Sequence, residues 1–579
     1  MSYARNFSVA TLDGEAGGLT AEGQPEGQPG GRTRRRGVEF CMLRRTLAAV
    51  QAATILAGAT ARAHAQVSPS ATGPTARAKP TLVVFITIDQ LRGDYFTRFG
   101  RQFTGGLHRF DVAGAHFTNA FQDHANTETA PGHAATMSGR FPVHTGIAAN
   151  SAGVNDPGSP LIGSKDPGAS PFRFRGTTLL DWMKKSNGAT RLLSVSRKDR
   201  AAILPIGKSK GDVYWYASNG TFTQSQYYGS ELPKWVTGFN AAQHPLDYTG
   251  WKWTPLLADS AYAEPDSVPV EAMGKEFMFP HVISEDSTMA AGMLPNFPVM
   301  DELTLRFALT GLKQLQLGAN PKRTDLLNIS LSTTDAVGHR YGPDSKELHD
   351  QMLRVDRYLG VFIDSLFAIR DSTRIILTLT GDHGMSPFPN VLSAVTPNPG
   401  ARFVDITPPF DSLLHRLAAL GVDTNQVALG DGGLMIGDTA SFVKAKLSVD
   451  SVARALAAQM RAIPGVNRVD MLSDLLKADT VTDVIARRWL HMYVPGGVMR
   501  FVTTLDRYNY PSGVRIAMHG SPWDQDAWVP VIFWGAPFQA GKYDARVRVV
   551  DMAPTLADVL GITPMETPDG VVLKQAEKR

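Results

Sequence analysis

The chain has 579 residues, 43% hydrophobic and 19% charged. That is the composition of an ordinary globular protein and excludes the disordered and collagen-like classes; the length allows two to four domains, or one large α/β domain with insertions. The formal net charge is +4, but residues 1–65 hold eight Arg against five Asp or Glu, and the remaining 50 basic and 49 acidic residues leave no surplus to suggest a nucleic-acid surface.

Residues 1–41 are rich in Gly, Gln and Arg without periodicity. They are expected to be a disordered leader, or to precede the true start at Met42. From Met42, "MLRRTLAAVQAATILAGATARAHAQ" sets two arginines before an apolar run, with a small-x-small cleavage site, Ala63-His64-Ala65, before Gln66. This is the pattern of a signal peptide over residues 42–65 and predicts a periplasmic or secreted protein. The run is too short to span a membrane comfortably, and no later segment is apolar enough to do so. Sec export is the default; Arg44-Arg45 hints at the twin-arginine route. The single cysteine, Cys41, lies before this segment, so the exported chain has no disulfide. Residues 66–80 form a Ser/Pro/Ala/Thr linker.

A domain spanning residues 81–579 follows. "TLVVFITIDQ" is mostly apolar and β-branched, and reads as a buried central strand with Asp89 at its carboxyl end. "LLNISLSTTD", ending at Asp335, "RIILTLTGDHG", carrying Asp382 and His383, and "VPVIFWG", residues 529–535, share this character. Between the second and third lies "KELHDQMLRVDRYLGVFIDSLFAI", with Leu348, Met352, Val355, Leu359 and Phe362 on one helical face. Strand, helix, strand predicts an α/β fold with a mostly parallel sheet sandwiched by helices, and function gathers beyond the carboxyl ends of such strands. Two stretches interrupt the pattern. Residues 205–300 hold four of the nine Trp and six of the fourteen Tyr and read as a cap-like insertion, its aromatics favouring packing over a cleft wall. Within it, "GDVYWYASNGTFTQSQYYGS" alternates like an irregular hairpin. Residues 386–497 read as a second insertion, with its own strand ("GGLMIG") and helix ("VDSVARALAAQMRAI").

Candidate ligands gather at these strand ends and at tight loops: Asp89, Asp335 and His339 in "DAVGHRYGP", Asp382 and His383, and His519 in "MHGSP". The chain has 14 His, and any one pair means little. Together they supply three carboxylates and three imidazoles, the donor set of two zinc-type sites. Asp335, His339 and His519 would make one. Asp89, Asp382 and His383 would make the other, completed by Thr129, and such a pair can clamp the attacking and leaving oxygens of an in-line displacement.

In order and spacing, "ITIDQLRGDY", "TETAPGHAATMSGRFPVHTGIAAN", "STTDAVGHRYGP", "TGDHGM", "HGSP" and "VVDMAPTLADVLGI" resemble the alkaline phosphatase superfamily. The branch is that of the phosphate-irrepressible alkaline phosphatases, close to the nucleotide pyrophosphatases/phosphodiesterases. The resemblance implies an alkaline-phosphatase-like core, two Zn²⁺ per subunit on the ligands just named, and Thr129 as the nucleophile that becomes phosphothreonine. Pro131 and the small residues after it suit the first turn of a helix, whose free N–H groups favour a phosphoryl group. Thr127 is the rival hydroxyl; Thr129 matches the family position before the x-Pro-x-His turn, and His133 is assigned to structure. A sulfatase would show Cys or Ser before x-Pro-x-Arg instead. Asn150 reads by composition as a turn residue, but the resemblance makes it a donor to a phosphoryl oxygen.

"LLSVSRKDRAAI" bears on the substrate. If extended, it aims Lys198 and Arg200 the same way and Asp199 away, and two cations at one spot suit a dianionic monoester. The residues alone leave a solvated charge cluster equally open; Lys-x-Arg resembles the monoesterase signature. The resulting expectation is an exported zinc-dependent phosphatase for phosphate monoesters. A phosphodiesterase or nucleotide pyrophosphatase of the same superfamily is the alternative, and a non-catalytic metal-binding envelope protein is a third reading.

Overall fold

The computed structural model describes residues 79–242, 245–389 and 400–578; the expected leader, the signal peptide and nearly all of the linker lie outside them. Ten strands build the central sheet: β1 (Leu82–Ile88), β2 (Ala115–Phe121), β3 (Leu192–Ser196), β4 (Asp212–Tyr216), β5 (Phe222–Thr223), β6 (Asp325–Leu331), β7 (Ile375–Thr380), β8 (Trp528–Trp534), β9 (Gly541–Tyr543) and β10 (Val547–Arg548). Their order is β9-β2-β8-β7-β1-β6-β3-β4-β5, with β10 also beside β2. The five strands β7, β1, β6, β3 and β4 run parallel. β8 runs antiparallel to both β7 and β2, and β5 folds back on β4.

The alternation of β1 explains why this strand is central. Every residue is buried. Leu82, Val84, Ile86 and Ile88 join the core on one face, Val83 and Phe85 that on the other. Each such side chain stabilises by roughly 1.5–3 kcal/mol when withdrawn from water, and only a strand covered on both faces hides them all. The helix over Lys346–Ile369 forms as expected, and Leu348, Met352, Val355, Leu359 and Phe362 are all buried on the first face.

The two interrupting stretches differ. Residues 205–300 begin inside the central sheet, as the β4–β5 hairpin. The aromatic residues after it pack on the core, the Trp235 and Phe239 rings lying 4.9 and 5.0 Å, between centroids, from that of Phe307. The second stretch supplies three strands of a separate antiparallel sheet, ordered Val427–Gly430, Gly433–Ile436, Met499–Leu505, Val466–Met471, whose third strand lies beyond the expected end at residue 497. Its helices Thr407–Ala419 and Val449–Arg461 enclose a separate core around Leu434, Leu456, Met460 and Phe501. Among the described residues, no helix is long and apolar enough to cross a membrane.

Two local readings are corrected. Asp335 does not end a strand: β6 stops at Leu331, and Asp335 lies in the first turn of helix α3 (Thr333–Tyr341). Here α1 is Thr129–Ser138 and α2 is Asp199–Ile203. An acid in the first turn of α3, with His339 and Arg340 in its last, complements the helix dipole. The run Lys198-Asp199-Arg200 is not extended either. β3 ends at Ser196, Lys198 is the extended N-cap (φ −95°, ψ 134°) and Asp199 opens α2, where its charge favours the positive helix end.

Candidate active site

Strand direction assembles the site. Asp89 follows β1, α3 follows β6, Asp382 and His383 follow β7, and Lys198 follows β3, so all emerge at the carboxyl rim. β2 runs the same way and its loop leads into α1, which opens with Thr129. β8 runs oppositely, so the loop before it, with His519, arrives at the same rim. Two glycines permit the close approach. A Cβ on Gly132 in α1 would lie 2.2 Å from the Asp382 carbonyl oxygen, and one on Gly338 in α3 1.9 Å from Gln90 Oε1.

The three imidazoles are held alike. His339 Nδ1 lies 2.7 Å from the Ala517 carbonyl, His519 Nδ1 2.8 Å from that of Thr127, and His383 Nδ1 2.8 Å from that of Gly384. A carbonyl only accepts, so each Nδ1 carries a proton and each Nε2 is turned inward, the arrangement that orients a ligating histidine. His339 Nε2 and His519 Nε2 face each other at 3.2 Å, two lone pairs that repel unless a proton or cation stands between them. Asp335 Oδ1 lies 3.3 Å from His339 Nε2, 3.6 Å from His519 Nε2 and 3.9 Å from His383 Nε2. Asp89 Oδ1 is 3.3 Å from His383 Nε2, and Asp382 Oδ2 is 3.6 Å from it.

Among the described residues, two clusters have donor atoms within 4.8 Å of one another: Asp335, His339 and His519, and Asp89, Asp335 and His383. The first is the set read from the sequence. The second takes Asp335 as a shared member in place of Asp382. Asp382 sits at its edge, accepting from Gln90 N–H at 3.0 Å and lying 3.0 Å from His133 Nδ1. His133 also approaches Ser330 Oγ at 2.9 Å. Gln90, at φ 67°, carries no sequence signal for this part; its amide is aimed by an unusual backbone angle.

The donors fit cations. Asp89 is fully buried, and neither carboxylate oxygen has a well-aligned hydrogen bond, although Lys198 Nζ lies 2.6 Å from Oδ2. Asp335 Oδ1, Asp382 Oδ2 and His383 Nε2 are buried and similarly unsatisfied, a costly state for polar atoms in a protein interior. Burial pushes the Asp89 carboxyl up, but Lys198 and His383 outweigh it and hold it well below the usual range. Burial lowers His383, yet Asp382, Asp89 and Asp335 raise it to about 9; the carboxylates draw positive charge into this spot. Burial, His383 and His339 push His519 well below its ordinary value, leaving a neutral donor. Three imidazoles and three carboxylates are borderline-soft and hard donors together, the mixture that suits zinc.

Thr129 is 1% exposed and is the first residue of α1, not its N-cap; Glu128 holds that place. The Thr129 hydroxyl is therefore not spent on capping, and Lys198 Nζ donates to it at 3.4 Å. The same ammonium donates to Asp335 Oδ2 at 2.6 Å, standing as a cation between Asp89 and Asp335. Thr127 donates to the Ser521 carbonyl at 3.1 Å, which commits that hydroxyl to the loop carrying His519. Asn150 Oδ1 accepts from Ala130 N–H at 2.9 Å. Arg200 lies in α2, two residues after the N-cap Lys198. It pairs with Asp199 at 3.8 Å, and its charge helps lower the Glu128 carboxyl.

A mostly parallel sheet covered by helices, with a buried hydroxyl, a lysine and two carboxylate–imidazole clusters on its rim, is the architecture of the alkaline phosphatase superfamily. Within it, the chain belongs to the type I phosphodiesterase/nucleotide pyrophosphatase family, whose sequence model matches residues 83–406. It is 30% identical over 532 residues to the alkaline phosphatase PhoV of Synechococcus elongatus, covering 88% of this chain and 94% of that protein. It is 28% identical over 521 residues to the alkaline phosphatase PafA of Elizabethkingia meningoseptica, covering 86% and 94%. The crystal structure of PafA matches with a TM-score of 0.80 at 26% identity, over 87% of this chain and all of that one. The chain is a phosphatase of this superfamily.

Proposed function

We propose that the protein is an exported, zinc-dependent alkaline phosphatase that hydrolyses phosphate monoesters through a phosphothreonine. The observation that carries this reading is the position of Lys198, 3.4 Å from the Thr129 hydroxyl and 2.6 Å from both Asp89 and Asp335. A buried ammonium beside the nucleophile matches the extra negative oxygen of a monoester. Asp335, His339 and His519 would hold one zinc ion, and Asp89, Asp382, His383 and Thr129 the other. Bound there, the ions supply the positive charge that acidifies a hydroxyl or water and neutralises a departing oxygen.

Thr129 Oγ1 gives up its proton to water and attacks phosphorus in line; the bond to the alcohol oxygen breaks, and the alkoxide or phenoxide departs and takes a proton from water where its basicity requires one. Water then attacks the phosphothreonine, releasing phosphate and restoring the hydroxyl. Lys198, Arg200 and the Asn150 amide hold the non-bridging oxygens while charge spreads over them. The segment over residues 42–65 supports export.

A diesterase is the second reading, favoured by the description of the family model. Comparing kcat/KM for p-nitrophenyl phosphate and bis-p-nitrophenyl phosphate decides between them. A higher value for the diester would reject the monoesterase proposal.

A further inference from the structure

Asn150 is braced from two directions. Its backbone N–H donates to Glu128 Oε2 at 2.6 Å, and its Oδ1 accepts from Ala130 N–H at 2.9 Å. Glu128 is the N-cap residue of α1, extended at φ −109° and ψ 165°, yet its side chain does not cap its own helix. The loop thus lends an oxygen to the helix start, and the N-cap residue lends a carboxylate to the loop. A capping box makes the same exchange within one helix; here its halves lie 22 residues apart. Thr129 sits between the two braced positions. With Oδ1 committed to Ala130, the Asn150 amide nitrogen is the donor left over.

The surroundings keep Glu128 in place. A Cβ on Gly520 would come within 4.0 Å of Glu128 Cγ, so the loop carrying His519 walls in one side. Burial pushes the carboxyl up and the Asn150 N–H holds it down; Asp431 adds to the first, and the Asn126 side chain and Arg200 add to the second. Asp431 belongs to the tip of the second insertion. With Gly432 it forms a two-residue turn between the paired Gly430 and Gly433, at φ 48° and 88°, the Asp-Gly signature of a tight hairpin. Ser151, next to Asn150, donates to Asp431 at 3.4 Å.

We propose that Glu128 is a positioning residue for Asn150, fixing the amide against the phosphoryl group through the loop's backbone N–H without touching substrate itself. This rests on Asn150 being the phosphoryl donor of the proposed function. The test uses the zinc-loaded full chain and its variants Glu128→Ala, Glu128→Gln, Asn150→Ala and the Glu128→Ala/Asn150→Ala double. It measures kcat/KM for p-nitrophenyl phosphate and the inhibition constant of inorganic phosphate. Glu128→Ala should lower kcat/KM about tenfold and weaken phosphate inhibition; Glu128→Gln, whose amide oxygen still accepts the N–H, should stay within about threefold of wild type. In the Asn150→Ala background, Glu128→Ala should cost nothing further. An equal loss in both backgrounds, or a glutamine variant as poor as the alanine one, overturns the proposal. Should Glu128→Ala fail to fold, Glu128→Asp, one methylene short of the N–H, replaces it in the same cycle: a loss confined to the Asn150 background supports the brace, and an equal loss in both backgrounds overturns it. If Asn150→Ala alone leaves kcat/KM and phosphate inhibition unchanged, the donor assignment of Asn150 itself is wrong and the positioning role falls with it.

Discussion

Lys198→Ala gives the sharpest separation of ester classes. The ammonium is 3.4 Å from Thr129 Oγ1, so an oxygen on the phosphorus under attack comes within about 4 Å of it. Lys198 is 8% exposed, and solvent screens it little. At an effective dielectric constant of about 20, one unit of charge at that distance is worth roughly 4 kcal/mol. That is about three powers of ten in rate. Part is offset, because the ammonium gives up Asp89 and Asp335 to meet the substrate. The expected fall in kcat/KM for p-nitrophenyl phosphate is therefore about 10²–10³-fold, the range seen when one transition-state donor is deleted. Bis-p-nitrophenyl phosphate carries one negative charge fewer and should lose about tenfold or less. Adding Arg200→Ala should widen the gap. Metal analysis of each variant checks that the ions are retained. Equal losses for the two esters would refute the role of Lys198 in selecting monoesters.

Thr129→Ala should abolish turnover while zinc content is largely kept, since the other six ligands remain; near-normal hydrolysis of p-nitrophenyl phosphate by this variant would remove the phosphothreonine from the mechanism. Chelation should abolish activity and lower the melting temperature, with zinc restoring both; a site loaded at about 100 times its Kd contributes roughly 2.7 kcal/mol. His124 is fully buried, and burial, with His491 and Arg488 nearby, lowers its pKa to about 3. Below the unfolded value of 6.5 only the unfolded chain takes the proton, so stability falls as the pH drops from there toward 3. Between pH 7 and 5 this one residue should cost about 2 kcal/mol. His124→Phe should flatten that part of the melting-temperature profile, and an unchanged slope would exclude His124 as the source.

The amino-acid order alone determined the central strands, the long helix and the residue types of the site. Those features are local: β1 is apolar on both faces, Leu348 to Phe362 repeat at the helical period, and a short polar run beside glycine marks each rim loop. The extended reading fails around Asp335 and Lys198 because the strands stop at Leu331 and Ser196 and a helix opens within two or three residues, at Thr333 and Asp199, turns that tertiary packing fixes and local propensity does not announce. Asp335 as the member common to both clusters, the committed Nδ1 protons and the brace between Glu128 and Asn150 were beyond sequence reading. They depend on β8 running against its neighbours and on α1 closing on the Asp382 loop at Gly132, contacts between segments hundreds of residues apart. A linear pattern states which chemistry is present; the distances that make it one site exist only once the sheet has brought its strand ends together.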